Sequence, residues 1–175
     1  MAHRAPLIIE NHTPQWSRFF EEEYQRLKIA LPEPHFQIEH IGSTAVPGLA
    51  AKPIIDLILG APSLAAIEER IPALEALGYE YIARHEAIMP QRRFLAWPLT
   101  RPRRFHLHGV VQGESFWNDK IAFRDALRAD TALAQGYEKL KRQLAAQYGD
   151  DREGYTDAKT GFIVAVIQRA RESAA

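Results

Sequence analysis

Between positions 36 and 59 the chain reads as strand, small-residue loop and strand, and the second strand carries an acid. Phe36 to Ile41 has the pattern of a strand. Gly42 to Ala51 is a loop of small residues with a turn at Pro47-Gly48. Ile54 to Leu59 is an apolar run broken only by Asp56. Such a run predicts a central strand covered on both faces. A carboxylate inside it is costly unless it is paired or binds a metal. At the end of the first strand, Gly42 lets backbone N–H groups approach an anion, and the Ser43 hydroxyl and a following helical turn add donors. Together these residues suggest a site for phosphate and a metal. The plainer alternative is an ordinary turn with an acid satisfied by backbone.

The remaining pattern places this unit in an α/β or α+β domain with a mixed sheet. Residues 1–12 read as a short extended arm. Thr13 and Pro14 then start a helix, with Thr as its cap and Pro in its first turn. Trp16, Phe19, Phe20 and Leu27 follow at helical spacing, and Pro32 and Pro34 end it. Ser63 caps a second helix closed by Gly78, which Pro72 kinks or splits. Tyr79 to Ala83, Arg92 to Trp97 and Phe105 to Val111 predict three further strands. From Ser115 the chain predicts helix, with breaks near Asp130 and Gly149 to Gly154.

Composition removes several classes of answer. The 175 residues fit one domain, expected over 1–175. There are no cysteines, which excludes disulfide scaffolds, thiol nucleophiles and Cys-ligated zinc. Lys plus Arg and Asp plus Glu both number 22, so no global field draws the chain to nucleic acid or an anionic membrane. No secretory leader or membrane-length apolar run is visible, so the expected location is the cytoplasm. GxGxxG, GxxxxGK[ST], HExxH and GxSxG are all missing.

The run IEHIGSTAVPGLAAKPIIDL resembles the signature of the GrpB family, which belongs to the nucleotidyltransferase superfamily. The later pieces FHLHGVV, FRDALRAD and YTDAKTGFI are similar to that family in the same order. The resemblance implies a nucleotidyltransferase-like mixed sheet with flanking helices and a helical C-terminal third. It implies that Gly42 and Ser43 hold the phosphates of a nucleotide, ATP or another triphosphate. It also implies that an acid-x-acid pair on the next strand, with a later acid, binds a divalent metal, Mg²⁺ or Mn²⁺. Asp56 falls at the first acid position, but the second is Ile58. Alternate residues of a strand share a face, so one carboxylate stands where two cations need two. Family members are also similar to a domain appended to dephospho-coenzyme A kinase, which implies a coenzyme A-related ligand or an accessory role.

Other residues extend the candidate site. His106 and His108 lie two apart on a predicted strand, so both rings face one side. With Asp56 they form a candidate metal-ligand and acid–base set. His40 and Glu86 are weaker candidates, and His3, His12, His35 and His85 read as surface residues. On the helix from Phe116, Lys120 and Arg124 fall inside the apolar arc. On the last helix, drawn as continuous from Tyr155 to Ala170, Lys159 lies near the middle of the apolar face. Cations on inward faces need partners. Arg124 and Lys159 are therefore candidates for a bound phosphate, with a stem lying over the core or an internal ion pair as the alternatives. Lys52 stands four residues before Asp56, beside the Gly-Ser loop. Arg93 is the choice from the basic cluster of 92–104, because that segment resembles a family strand with an arginine there. The expected function is metal-dependent transfer of a nucleotidyl or phosphoryl group to an unspecified acceptor. The alternative is a non-catalytic module that binds a nucleotide or a coenzyme A-related phosphate. Either takes a small phosphate-containing ligand rather than nucleic acid or a membrane, and a protein partner stays open.

Overall fold

The structure is a computed structural model that describes residues 7–174. Its centre is a five-stranded mixed sheet built from β1 (Gln37–Ile41), β2 (Ile55–Ala61), β3 (Glu80–Tyr81), β4 (Arg92–Trp97) and β5 (Phe105–Val111). The strand order is β1-β2-β5-β4-β3. β2 and β5 run parallel, and every other neighbouring pair is antiparallel. This is the mixed sheet with flanking helices that the sequence predicts.

Strand alternation gives the sheet two different faces. Leu57 and Leu59 of β2 share one face with Leu107 of β5 and Leu95 of β4, and all four are fully buried. Three helices cover that face: α1 (Gln15–Ala30), α2 (Leu64–Glu68) and α3 (Ile71–Ala76). Leu27, Ile67 and Leu74 are their inward contacts. Ser63 caps α2, its Oγ accepting from the Ala66 N–H at 3.2 Å. Pro72 splits this helical segment in two by occupying the first turn of α3. At α1 the cap position falls on Pro14 rather than Thr13, whose Oγ1 accepts from the Gln15 N–H at 3.3 Å.

The opposite face carries Asp56, Ile58, His106, His108 and Phe94, fixed by the pairings Asp56↔His106, Ile58↔His108 and Phe94↔His108. The C-terminal helices stand over it: α4 (Ser115–Ala129), α5 (Thr131–Tyr148), α6 (Arg152–Ala158) and α7 (Thr160–Ala174). Ile58, Ile41 and Val110 pack there against Trp117 of α4. Gly60 makes room for that indole, since a Cβ at position 60 would lie 2.6 Å from a Trp117 ring carbon. A second cluster, including Phe123, Leu127, Tyr137 and Val166, joins α4, α5 and α7 to Val46 and Leu49 of the small-residue loop.

Three details differ from the sequence pattern. The strand expected over 79–83 shrinks to Glu80–Tyr81, because Tyr79 is committed to the core and residues 83–87 form a 3₁₀ turn. The last helix is not continuous: it breaks at Lys159 between α6 and α7, just before Thr160 and Gly161, two poor helix formers. Of the N-terminal arm, residues 1–6, His3 among them, lie outside the described residues, while Glu10 bridges to Ala51 of the loop. No helix among the described residues is long and apolar enough to cross a membrane.

Candidate functional site

Asp56 is the hub of the open sheet face. Its Oδ1 lies 3.2 Å from His108 Nε2 and 3.5 Å from His106 Nδ1. Arg92 Nη1 lies 3.3 Å from the other nitrogen of His108, Nδ1. A guanidinium only donates, so His108 Nδ1 accepts, and a neutral His108 then carries its proton on Nε2 and donates to Asp56. Burial lowers His108 to about 4 against the opposing pull of Asp56, which keeps the ring neutral near pH 7. Burial pushes the Asp56 carboxyl up, but the two imidazoles outweigh it and hold it well below the usual carboxylate range. Gly42 completes the cradle. Its φ is +75°, and a Cβ there would come within 2.9 Å of Asp56 Oδ2. The glycine is required by the carboxylate packed against it as well as by the turn.

From Asp56 a cleft of about 500 Å³ opens between the sheet and the helical lobe. It is lined by Ser43 and Lys52 from the loop, His106 from β5, Phe94 and Ala96 from β4, and Lys141, Tyr155 and Lys159 from the lobe. Seven Lys or Arg side chains line it against one acid, Asp56, so a chain of zero net charge concentrates positive potential here. Lys52 and Lys159 each place Nζ 4.3 Å from the Tyr155 ring centroid. Lys141 lies over Tyr137 at 4.9 Å and donates to the Ala50 carbonyl. Burial, aided by repulsion from Arg152 on Lys52, from Lys52 on Lys159 and from Lys159 on Lys141, lowers Lys52 and Lys159 to about 8 and Lys141 to about 7. Ser43 hydrogen-bonds the Tyr137 hydroxyl, and burial is the main reason that phenol is pushed far up. Tyr155, also buried, is pushed up to about 12.

The predicted residues separate into two groups. Asp56, His106, His108, Gly42, Ser43, Lys52 and Lys159 meet in or directly beneath the cleft. Arg124 and Arg93 do not. Arg124 is bound to Glu39 and Asp125, each at 2.7 Å, and borders a different hollow beside α1 with His40 and Arg128. The internal ion pair weighed as an alternative is what its inward position serves. Arg93 lies on the opposite sheet face, held by Glu68 at 2.6 Å and by Glu86 at 3.6 Å. Its neighbour Arg92 is the arginine that reaches the Asp56 cluster. Lys159 faces the cleft from the break between α6 and α7, not from the middle of a helix.

Lys141, Tyr155 and His85 are among the lining residues that escaped the sequence reading. Lys141 sits on the buried face of α5 with Tyr137 and Leu144, so the inward-cation argument used for Lys159 would have found it. Tyr155 was read only as an apolar anchor. His85, read as a surface residue, lines the cleft and stacks on Phe94 at 4.9 Å; its contact is non-local and leaves no local pattern.

The donor set does not fit the two-cation centre that the resemblance implies. Ile58 is fully buried against Trp117, so no second acid enters from β2. Both imidazoles are turned onto the same Asp56 oxygen. Among the described residues no group of three His, Cys, Asp or Glu side chains is arranged to hold a metal ion.

Comparison with known proteins gives a consistent picture. The GrpB protein family matches residues 6–169. A UPF0157 protein of Deinococcus radiodurans is 36% identical over 166 residues, covering 95% of this chain and 83% of its own. The crystal structure of the conserved protein GrpB from Enterococcus faecalis has a TM-score of 0.84 and 34% identity, covering 95% of this chain and 98% of that one. A dephospho-CoA kinase of Mycolicibacterium paratuberculosis is 29% identical over 189 residues, covering 95% of this chain and 46% of its own.

Proposed function

The chain belongs to the GrpB family, and on that premise we propose that its cleft binds the phosphates of a small organic ligand, a nucleotide or a coenzyme A-related compound. The carrying observation is the convergence of Lys52, Lys141 and Lys159 on one side of the Asp56 cluster, with Ser43 beside them. Desolvated, mutually repelling ammonium groups favour a multivalent anion, because the anion removes the repulsion that each imposes on the others. The similarity to a dephospho-CoA kinase supports a ligand of that chemical kind.

A second reading is transfer of a nucleotidyl or phosphoryl group, dependent on Mg²⁺ or Mn²⁺, to an acceptor. The observation favouring a reaction is that the cleft opens onto an ionised carboxylate with an imidazole beside it, where binding alone needs neither. The burial of Ile58 favours the binding module.

The test is a thermal-shift screen of nucleotides, coenzyme A precursors and sugar phosphates, each with and without Mn²⁺. It compares wild type with Lys52→Ala, Lys159→Ala and Asp56→Ala. A ligand at ~100 times its Kd stabilises the fold by about 2.7 kcal/mol. The binding reading expects a shift that is lost in the lysine variants and kept without metal. A shift that needs Mn²⁺ and Asp56 selects the transfer reading. No shift with any phosphate compound removes both.

A further inference from the structure

The contacts around Asp56 orient His106 by one of its two ring nitrogens. His106 Nδ1 faces Asp56 Oδ1 at 3.5 Å, and His108 Nε2 faces the same oxygen at 3.2 Å. A carboxylate oxygen only accepts, so the tautomer of each ring that it favours is the one presenting an N–H to it. With Nδ1 turned to the carboxylate, Nε2 is the His106 nitrogen left over. The ring lies edge-on to Phe94, whose centroid is 5.2 Å away, and lines the cleft into which the lysines project. A carboxylate that orients an imidazole by one nitrogen and leaves the other facing a reactant is the arrangement that activates histidine, either as a base or as a nucleophile. Here the pocket is read as built for phosphate oxygens, and the serine and threonine hydroxyls that line it are already engaged: Ser43 is bonded to Tyr137, Thr44 Oγ1 lies 2.9 Å from His40 Nε2, and Thr156 Oγ1 donates to the Arg152 carbonyl at 2.8 Å.

We propose that His106 Nε2 is a nucleophile that takes up the phosphorus group of a phosphoric anhydride as a phosphohistidine-type intermediate. This rests on the anion-binding reading of the cleft. The Nε2 lone pair forms the P–N bond while the bridging P–O bond of the anhydride breaks. The leaving phosphate departs as an oxyanion, its charge met by Lys52, Lys141 and Lys159. The Nδ1 proton stays on the ring, and Asp56 stabilises the cationic N-phosphoryl imidazole that results. His108 is a positioning residue: relayed from Arg92, its N–H helps hold the Asp56 oxygen in place.

The experiment uses the full chain with ATP labelled at the α or the γ phosphorus in separate reactions, and with phosphoramidate as a small histidine-directed donor. Label is mapped by mass spectrometry without acid. The expected result is label on His106 in preference to the other histidines, labile to acid and stable in alkali. It is lost in His106→Asn, a variant whose melting curve checks that it folds, and slowed in His108→Asn with an altered pH profile. The labelled position of ATP identifies the group carried. Label on Asp56, which alkali would remove, overturns the proposal, and so does label that survives His106→Asn. Thermal stabilisation by ATP with no label from any donor overturns the covalent step and leaves the binding reading intact. Neither stabilisation nor label overturns both.

Discussion

At the scale of single residues, the site depends on what is small as much as on what is charged. Gly42 is held at φ +75° with Asp56 Oδ2 where its Cβ would go. Gly42→Ala is expected to lower stability by about 1–2 kcal/mol from the left-handed backbone alone, with more from the displaced carboxylate. A urea midpoint measures the loss. Because Asp56 must move, phosphate-ligand affinity should fall in the same variant. The glycine and the acid were legible as a pair in the sequence, since one ends a strand and the other interrupts an apolar run. Their contact was not, because it depends on how β1 and β2 pair. Arg93 shows the opposite failure: a local motif marked the right neighbourhood, and strand alternation then turned Arg93 to one face and Arg92 to the other.

At the scale of elements, the small-residue loop is fastened by a helix it meets about ninety residues later in the chain. The Ala50 N–H donates to Glu138 Oε2 at 2.9 Å, and the Ala50 carbonyl accepts from Lys141, both on α5. The loop thereby obtains from two side chains the backbone partners it lacks for want of a neighbouring strand. Glu138→Ala leaves the Ala50 N–H without its partner. It is expected to cost about 1–3 kcal/mol in chemical denaturation and to weaken phosphate-ligand binding, because Lys52 and Ser43 ride on the same loop. The Ala50 amide should also gain hydrogen exchange out of proportion to the global loss. Strands β4 and β5 were legible to the residue, each being a compact apolar-rich run between turn formers. The break at Lys159 was not, because Tyr155, Phe162 and Val166 keep helical spacing across it.

At the scale of the whole molecule, folding gathers cations that the sequence scatters. Lys52, Lys141 and Lys159 have folded values of about 8, 7 and 8, below the ordinary lysine value near 10.5. A lysine with a lowered folded value binds fewer protons folded than unfolded between those limits. Stability therefore rises with pH from about 7 toward about 10.5, and the burden is greatest below pH 7, where all three are charged. An anion in the cleft raises these values again, so binding near pH 8.5 is accompanied by proton uptake that fades toward pH 6. Calorimetry in buffers of different ionisation enthalpy measures the uptake. Release of protons, or none, would mean that the anion sits elsewhere. Zero net charge conceals this gathering, which is why the local pattern pointed to the motif while composition gave no sign of the field around it.

The chain of bonds from Arg92 through His108 to Asp56 and His106 crosses three strands, β4, β5 and β2. Each link exists only because the strands meet at one particular alignment, and a slip by one position would turn these side chains to the other face. The reactivity proposed for His106 would thus be a report on assembly. A chain with its strands misaligned, though compact and rich in sheet, would have an ordinary imidazole and would be chemically mute. On the proposed mechanism, the protein cannot acquire its chemistry before its central sheet is correctly knit.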